Sequence, residues 1–373
     1  IVRHAVTAPV EQKVLDPSCG SGTFLFHAVR NFIAEAEDAG MPVERRAAEA
    51  ATHVAGLDIH PVAIIIARVT YLLALTPVLA NRKGAISIPV YLGDSMQLSI
   101  GQNLSEKELI IVVPPALGGH NQSGKIDGNG REMLQFPDAF CRLPDLFDKL
   151  LEAMRRGSEQ DLSRAQIEAI IDREAKLHLL RRLSEEELRA IPDMGKAYEV
   201  MSRLKREGRD SVWTYVARNL SKPLFYSSAG GWANVMVGNP PWLAFRHMNS
   251  ELQKKFKELA KGENVYVGGK LATQNDFSAL FTVRAAGLYI RPGGKLAFVL
   301  PLAALTRGQF DKFRAGSFYS ARLSFDDVWT MDDTVQPLFP GPSGERPSSD
   351  DPGSRESIAT GPPKSGAPRP PRS

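Results

Sequence analysis

Apolar positions along the first hundred residues alternate between two spacings. KVLD at 13–16, HVAGLDI at 53–59 and IPVYLGD at 88–94 are short apolar runs ending in an acid, the pattern of strands. Between them, 24–39 and 61–80 carry the longer apolar spacing of helices. Strand, helix, strand, helix, strand predicts a parallel α/β sheet. Ligands bind such sheets at the carboxyl ends of the strands, where Asp16, Asp58 and Asp94 fall.

The rhythm breaks after residue 98. A Gly/Asn-rich stretch, GGHNQSGKIDGNGRE, leads into a charged region over 144–220 that reads as helices. Ser163 with Gln166 and Ser184 with Glu187 have the spacing of capping boxes that open helices. The arginines 155, 156, 181 and 182 read as a solvated helix face rather than a nucleic-acid contact. The α/β pattern resumes at Trp232: ANVMVGNPPW is a strand entering a loop, QNDFSALFTVRAAGLYI an amphipathic helix, and GGKLAFVLP a further strand. The predicted organisation is therefore an α/β half over 1–98, a loop and helical insertion over 99–231, a second α/β half over 232–335, and a Pro/Gly/Ser-rich tail over 336–373. The tail has little apolar surface to bury and is expected to be disordered.

Composition changes this picture little. The 373 residues are 43% hydrophobic and 24% charged, an ordinary globular balance. A net charge of +4 and an isoelectric point of about 9.0 suit a polyanionic partner without requiring one. Two cysteines, Cys19 and Cys141, exclude a disulfide framework and fit a reducing cytoplasm. His4, His60 and His247 lack metal-ligand spacing, so no metal is expected. PVAIIIARVTYLLALTPVLA at 61–80 is long enough to span a bilayer, but Arg68 at its centre and Pro77 favour a helix buried against the sheet, with no membrane partner. The chain opens at Ile1 inside an apolar pattern and reads as a fragment.

Chemistry concentrates in two motifs. In VLDPSCGSGTFL, Gly20 and Gly22 let the backbone turn sharply and approach a ligand, and the following helix offers free N–H groups. The spacing is not GxGxxG, which disfavours a dinucleotide; a tight structural turn would use the same glycines. Asp58 could accept from ribose hydroxyls or simply cap a helix before Pro61. Asp94 could accept from an adenine amine or sit in an ordinary turn. Three acids at three successive strand ends together suggest an adenosine-bearing cofactor. In Gly238-Asn239-Pro240-Pro241-Trp242 the prolines stiffen the backbone and leave carbonyls to accept, Asn239 adds an amide oxygen and Trp242 an aromatic face. That set suits a planar ligand bearing an NH₂ group.

DPSCGSGTFL followed by GNPPW resembles the amino-methylating DNA methyltransferases, in particular the N6-adenine enzymes of restriction-modification and phage-defence systems. The resemblance covers residues 1–335 apart from most of the insertion. It implies a Rossmann-like S-adenosylmethionine-dependent methyltransferase sheet with helices on both faces. By this resemblance Asp16, Pro17, Cys19, Gly20, Gly22, Thr23, Phe24, Ile59 and Ser95 would bind S-adenosylmethionine, with Asp58 holding its ribose and Asp94 its adenine. Asn239, Pro240, Pro241 and Trp242 would grip an adenine flipped out of double-stranded DNA. Residues 1–6 resemble the end of the helix that meets the methionine moiety, without the usual upstream Tyr-Thr-Pro. A restriction nuclease or specificity subunit is the implied protein partner.

Other readings remain open on the sequence. NPP-aromatic loops also serve methyltransferases of RNA bases and of protein glutamine, and a non-catalytic DNA-binding subunit could keep the fold. Gly119 to Lys125 nearly matches a P-loop, but Ile126 replaces the magnesium-binding hydroxyl. Phe310 would either buttress the target pocket or fill the core.

Overall fold

The computed structural model describes residues 1–96, 108–113, 133–209 and 212–330. The P-loop-like stretch at 119–125 and the tail at 336–373 lie outside the described residues. Residues 1–326 form one compact unit; of the second, 327–373, only 327–330 are described, and these have no regular secondary structure.

Seven strands are described: β1 (Val14–Asp16), β2 (Val54–Asp58), β3 (Val90–Leu92), β4 (Glu108–Val112), β5 (Met133–Pro137), β6 (Ala233–Gly238) and β7 (Ile290–Phe298). Five make the main sheet in the order β3-β2-β1-β6-β7, every neighbouring pair parallel. The α/β expectation therefore holds. A strand covered on both faces is buried along its length, and VLD of β1 is buried at all three positions, its terminal Asp16 included. The order reverses between β1 and β6, the kind of switch point at whose strand carboxyl ends α/β sheets bind ligands.

The N-terminal helices are α1 (Val2–Ala5), α2 (Thr23–Asp38), α3 (Val43–His53) and α4 (Pro61–Leu79). Helix α3 was not foreseen; its Glu/Arg-rich face hides a thin apolar stripe, Ala47 and Ala50, and it absorbs His53 from the expected second strand. Helix α4 departs from its expected burial. Ile64, Ala67, Tyr71, Ala74, Leu75 and Val78 pack inward, while Val62, Ile65, Ile66, Val69 and Leu73 are about half exposed. Among the described residues it alone is long and apolar enough to cross a membrane, with 33% of its apolar window buried. The sequence is apolar all round, so it could not report which face meets the sheet.

The insertion carries α5 (Asp138–Cys141), α6 (Pro144–Glu159), α7 (Arg164–Leu179), α8 (Glu185–Arg206), α9 (Trp213–Leu220) and α10 (Lys222–Tyr226). It is not purely helical: β4 and β5 pair antiparallel into a second, two-stranded sheet. One core joins that sheet to the helices, with Phe136, Phe140, Phe147, Leu150, Met154 and Ile171 fully buried. Burying each such side chain stabilises by about 1.5–3 kcal/mol. Both expected capping boxes are present, at Ser163–Gln166 and Ser184–Glu187. Arg155 and Arg156 pair with Glu152 within their own helix, as a solvated face does; Arg181 and Arg182 instead fall in the link between α7 and α8, where Arg181 pairs with the buried Glu187.

The returning half adds α11 (Ser250–Gly262) and α12 (Phe277–Tyr289). Helix α12 is not amphipathic: Phe277, Leu280, Phe281, Val283, Ala286 and even Ser278 and Thr282 are buried. The Pro-Gly-Gly turn sits inside β7, where the register to β6 jumps between Ala233–Ile290 and Val235–Lys295. Phe310, 1% exposed, packs beside Phe313 in the core, the blander of its two readings.

Candidate methyl-transfer site

The site is built where β1 and β6 end side by side. Leu15 pairs with Met236, so the chain after β1 and the chain after β6 leave the sheet as neighbours. The Ser18 hydroxyl donates to the Asn239 carbonyl at 3.2 Å and ties the two motifs together. Ser18 was not singled out in the sequence, since a serine in a glycine turn has no distinctive pattern.

Asp16 is fully buried, and only Oδ1 has a partner, the Ser18 amide at 3.1 Å. Oδ2 has no hydrogen-bond partner among the described residues. Burial, reinforced by the charge of nearby Asp58, pushes its carboxyl up to about 8 despite the Ser18 N–H. A Cβ on Gly238 would sit 2.7 Å from Asp16 Oδ1, so the strand that enters NPPW needs glycine to pass this acid.

The two glycines of the loop differ. Gly22 starts α2 at φ +87°, and a Cβ there would lie 3.1 Å from Ala67 of α4. It serves helix packing. Gly20, at φ +52°, faces open space and leaves room for a ligand against the backbone. Cys19 is buried, its thiol pushed up by desolvation and its sulfur packed against Gly56. Pro17 is buried and Phe24 half-buried, whereas Thr23 and Ile59 point to solvent.

Asp58 gathers the loop from the next strand. Its Oδ2 accepts from Gly20 N at 2.8 Å and its Oδ1 from His60 N at 2.8 Å. It does not cap α4, whose N-cap is His60. A carboxylate offers about four acceptor directions, so both bonds leave capacity for ribose hydroxyls. The Asp58 carbonyl in turn accepts from Gly93 N at 2.9 Å, which brings the Asp94 turn alongside. Asp94 lies two residues beyond β3 and its Oδ1 accepts from Met96 N; Ser95 is 8% exposed.

On the β6 side, Pro240 is buried while Asn239, Pro241 and Trp242 are exposed. The indole Nε1 donates to the Val299 carbonyl at 3.3 Å, and Val299 N donates to Gly238 O at 2.9 Å. The ring is thereby fixed at one edge with 49% of the residue exposed. Ala244 bridges Asp276 just beyond, which anchors the loop on the start of α12. No cluster of metal-ligating side chains occurs among the described residues.

These residues fit an adenosine-bearing cofactor: an open cradle at Gly20, acids on three adjacent strand ends, and a buried carboxyl oxygen with no partner among the described residues.

Comparison with known proteins gives this geometry a family. No curated protein matches the chain by sequence. Two solved structures align with it: an ATP-dependent Type ISP restriction-modification enzyme, LlaBIII, bound to DNA, and a nuclease-deletion mutant of the Type ISP enzyme LlaGI with a DNA substrate mimic. Identities are 12% and 13%, each TM-score is 0.39, and 82% of this chain is covered. The chain spans only 13% and 17% of the length of those two. The family model described as Eco57I restriction-modification methylase matches residues 52–324, and the chain belongs to that family.

Proposed function

We propose that this chain transfers a methyl group from S-adenosylmethionine to N6 of an adenine flipped out of double-stranded DNA, releasing S-adenosylhomocysteine and one amine proton to water, within a restriction-modification or defence system. The observation that carries this reading is the seating of DPSCGSG and GNPPW on adjacent parallel strands at the switch point, joined by the Ser18–Asn239 hydrogen bond.

Asp58 would hold the cofactor's ribose and Asp94 its adenine, with the Gly20 backbone beneath. When bound, S-adenosylmethionine supplies an activated methyl group on a positively charged sulfur. The chain's own residues then have to prepare the acceptor. An aromatic amine is a poor nucleophile because its lone pair is delocalised into the ring. Asn239 Oδ1 and the Pro240 carbonyl, by accepting the two amine hydrogens, favour a pyramidal nitrogen with its lone pair turned outward. Trp242 gives the flipped base a stacking face, and positioning supplies much of the acceleration. Neither cysteine is needed as a nucleophile. Around the motif, Arg246 and the α11 lysines 254, 257 and 261 are exposed and of the sign that phosphates require.

The test is Asn239→Ala, assayed for transfer of a labelled methyl group to DNA, RNA and a glutamine peptide, with cofactor affinity measured by calorimetry. DNA methylation should fall at least about 100-fold, the scale for losing one catalytic hydrogen-bonding group. Cofactor affinity should hardly change. Methylation of RNA or peptide but not DNA, or loss of cofactor binding in the variant, overturns the assignment.

A further inference from the structure

The turn that carries Asp94 is held by side chains from outside the N-terminal half. Strand β3 is the open edge of the main sheet. Pro89 O and Gly93 N bond to β2, so Val90 O and Leu92 N point away from the sheet. An edge like this exposes unpaired backbone groups. Here the insertion and α4 take them. Asn219 Oδ1, from α9, accepts the Leu92 N–H at 3.1 Å, and Arg68 Nε donates to Val90 O at 2.9 Å.

Asn219 is 2% exposed, and both its amide oxygen and its amide nitrogen are engaged. Its Oδ1 also accepts from Arg68 Nη2 at 3.3 Å, and its Nδ2 donates to Tyr215 O at 2.7 Å. One residue on, a Cβ at Gly93 would meet Pro223 Cγ of α10 at 2.8 Å, so the insertion lies directly against the turn. The buried Tyr289 hydroxyl of α12 also donates to the turn, to Ser95 O at 2.5 Å. Arg284, also on α12, donates to Met96 O from Nε at 3.2 Å and from Nη2 at 3.1 Å. Glu263 steadies that guanidinium at 3.6 Å.

Asp94 therefore sits in a five-residue turn fixed at Leu92, Ser95 and Met96 by groups that are distant in sequence. We propose that Asn219 and Tyr289 are positioning residues for the cofactor site: they set where the Asp94 carboxylate stands and so make the site select an adenine amine. This rests on the cofactor reading above. A site built to hydrogen-bond one group discriminates against an analogue lacking it only while the partner is held within about 0.5 Å. Neither residue is required to touch the cofactor.

The experiment compares calorimetric affinities for S-adenosylhomocysteine and for its deaminated analogue S-inosylhomocysteine, which has a ring carbonyl in place of the amine. The wild-type chain should prefer the adenine ligand by about tenfold or more, the scale of a hydrogen bond to a charged group. Tyr289→Phe and Asn219→Ala should each shrink that preference by about 3- to 10-fold, mainly by weakening the adenine ligand. Melting temperatures recorded on the same samples separate misfolding from loss of selectivity, and Tyr289→Phe removes only a hydroxyl. An unchanged preference in both variants overturns the positioning role and leaves the cofactor reading standing. Failure of the wild-type chain to bind either ligand overturns both.

Discussion

The chain ends of β1 and β6 stand side by side and are built in opposite ways. After β1, Asp16, Pro17 and Cys19 are buried, Gly22 is pressed against α4, and Asp58 takes the Gly20 amide. After β6, Asn239, Pro241 and Trp242 stand exposed, held through Val299 and the Ser18 hydroxyl. The first end is closed and polar at its base, suited to a small ligand whose charges need fixed partners. The second is open and stiff, suited to a group that arrives attached to something large. Proline serves that purpose because its ring fixes the backbone, and here only Pro240 is also buried.

Substitutions should keep the two ends apart in what they damage. The largest effect is expected at the open end, where Asn239→Ala removes catalysis by at least about 100-fold without loss of stability or cofactor affinity. Equal damage to both functions would mean that the ends act as one site.

Asp16 offers the next largest effect, on the closed end alone. Its folded carboxyl titrates at about 8 against an ordinary 3.8, so between those values the folded chain holds a proton that the unfolded chain has lost. Stability must therefore fall as pH rises from about 4 to about 8, and the penalty is complete above pH 8. Asp16→Asn should remove that slope, gaining on the wild type by a few kcal/mol at pH 9, to order of magnitude. Melting curves across pH 5–9 check this; a parallel decline in both proteins would mean that Asp16 is ionised throughout.

Trp242→Ala should weaken substrate binding by about 1–3 kcal/mol, the worth of one stacked base, and leave the melting temperature unchanged. A Michaelis constant for DNA that does not move would take the indole out of the substrate's path. The smallest effects compare the two loop glycines. Gly22→Ala adds both a left-handed backbone and a clash with Ala67, costing about 1–3 kcal/mol of stability. Gly20→Ala adds only the backbone strain, about 1 kcal/mol, but fills the cradle, so cofactor affinity should drop further than stability does. Reversed outcomes for the pair would exchange their roles.

Much of the site was legible because its signals are local. Gly20 and Gly22 mark backbone that other residues cannot adopt, Pro240 and Pro241 mark rigidity, and acids at Asp16 and Asp58 terminate apolar runs. The strands themselves follow from apolar runs bounded by turns, and the two capping boxes from their spacing. Less legible was everything that depended on what packs outside an element. Helices α4 and α12 are both nearly apolar throughout, yet one keeps a broad exposed face and the other is buried along most of its surface. Strands β4 and β5 pair with each other rather than joining the main sheet, a choice no periodicity encodes.

The sequence by itself determined the alternation of strands and helices, the special backbone at the two motifs, and the kinds of chemical group placed there. Each is a property of a residue and its nearest neighbours along the chain. Only the tertiary structure decided that β6 lies beside β1, since strand order is set by long-range pairing across more than two hundred residues. It also decided that Ser18 would bridge the motifs, that Asp16 would be sealed from water, and that Asn219 and Tyr289 would close on the Asp94 turn. Burial and hydrogen-bond partnership belong to the space between elements, and a local pattern carries no record of that space.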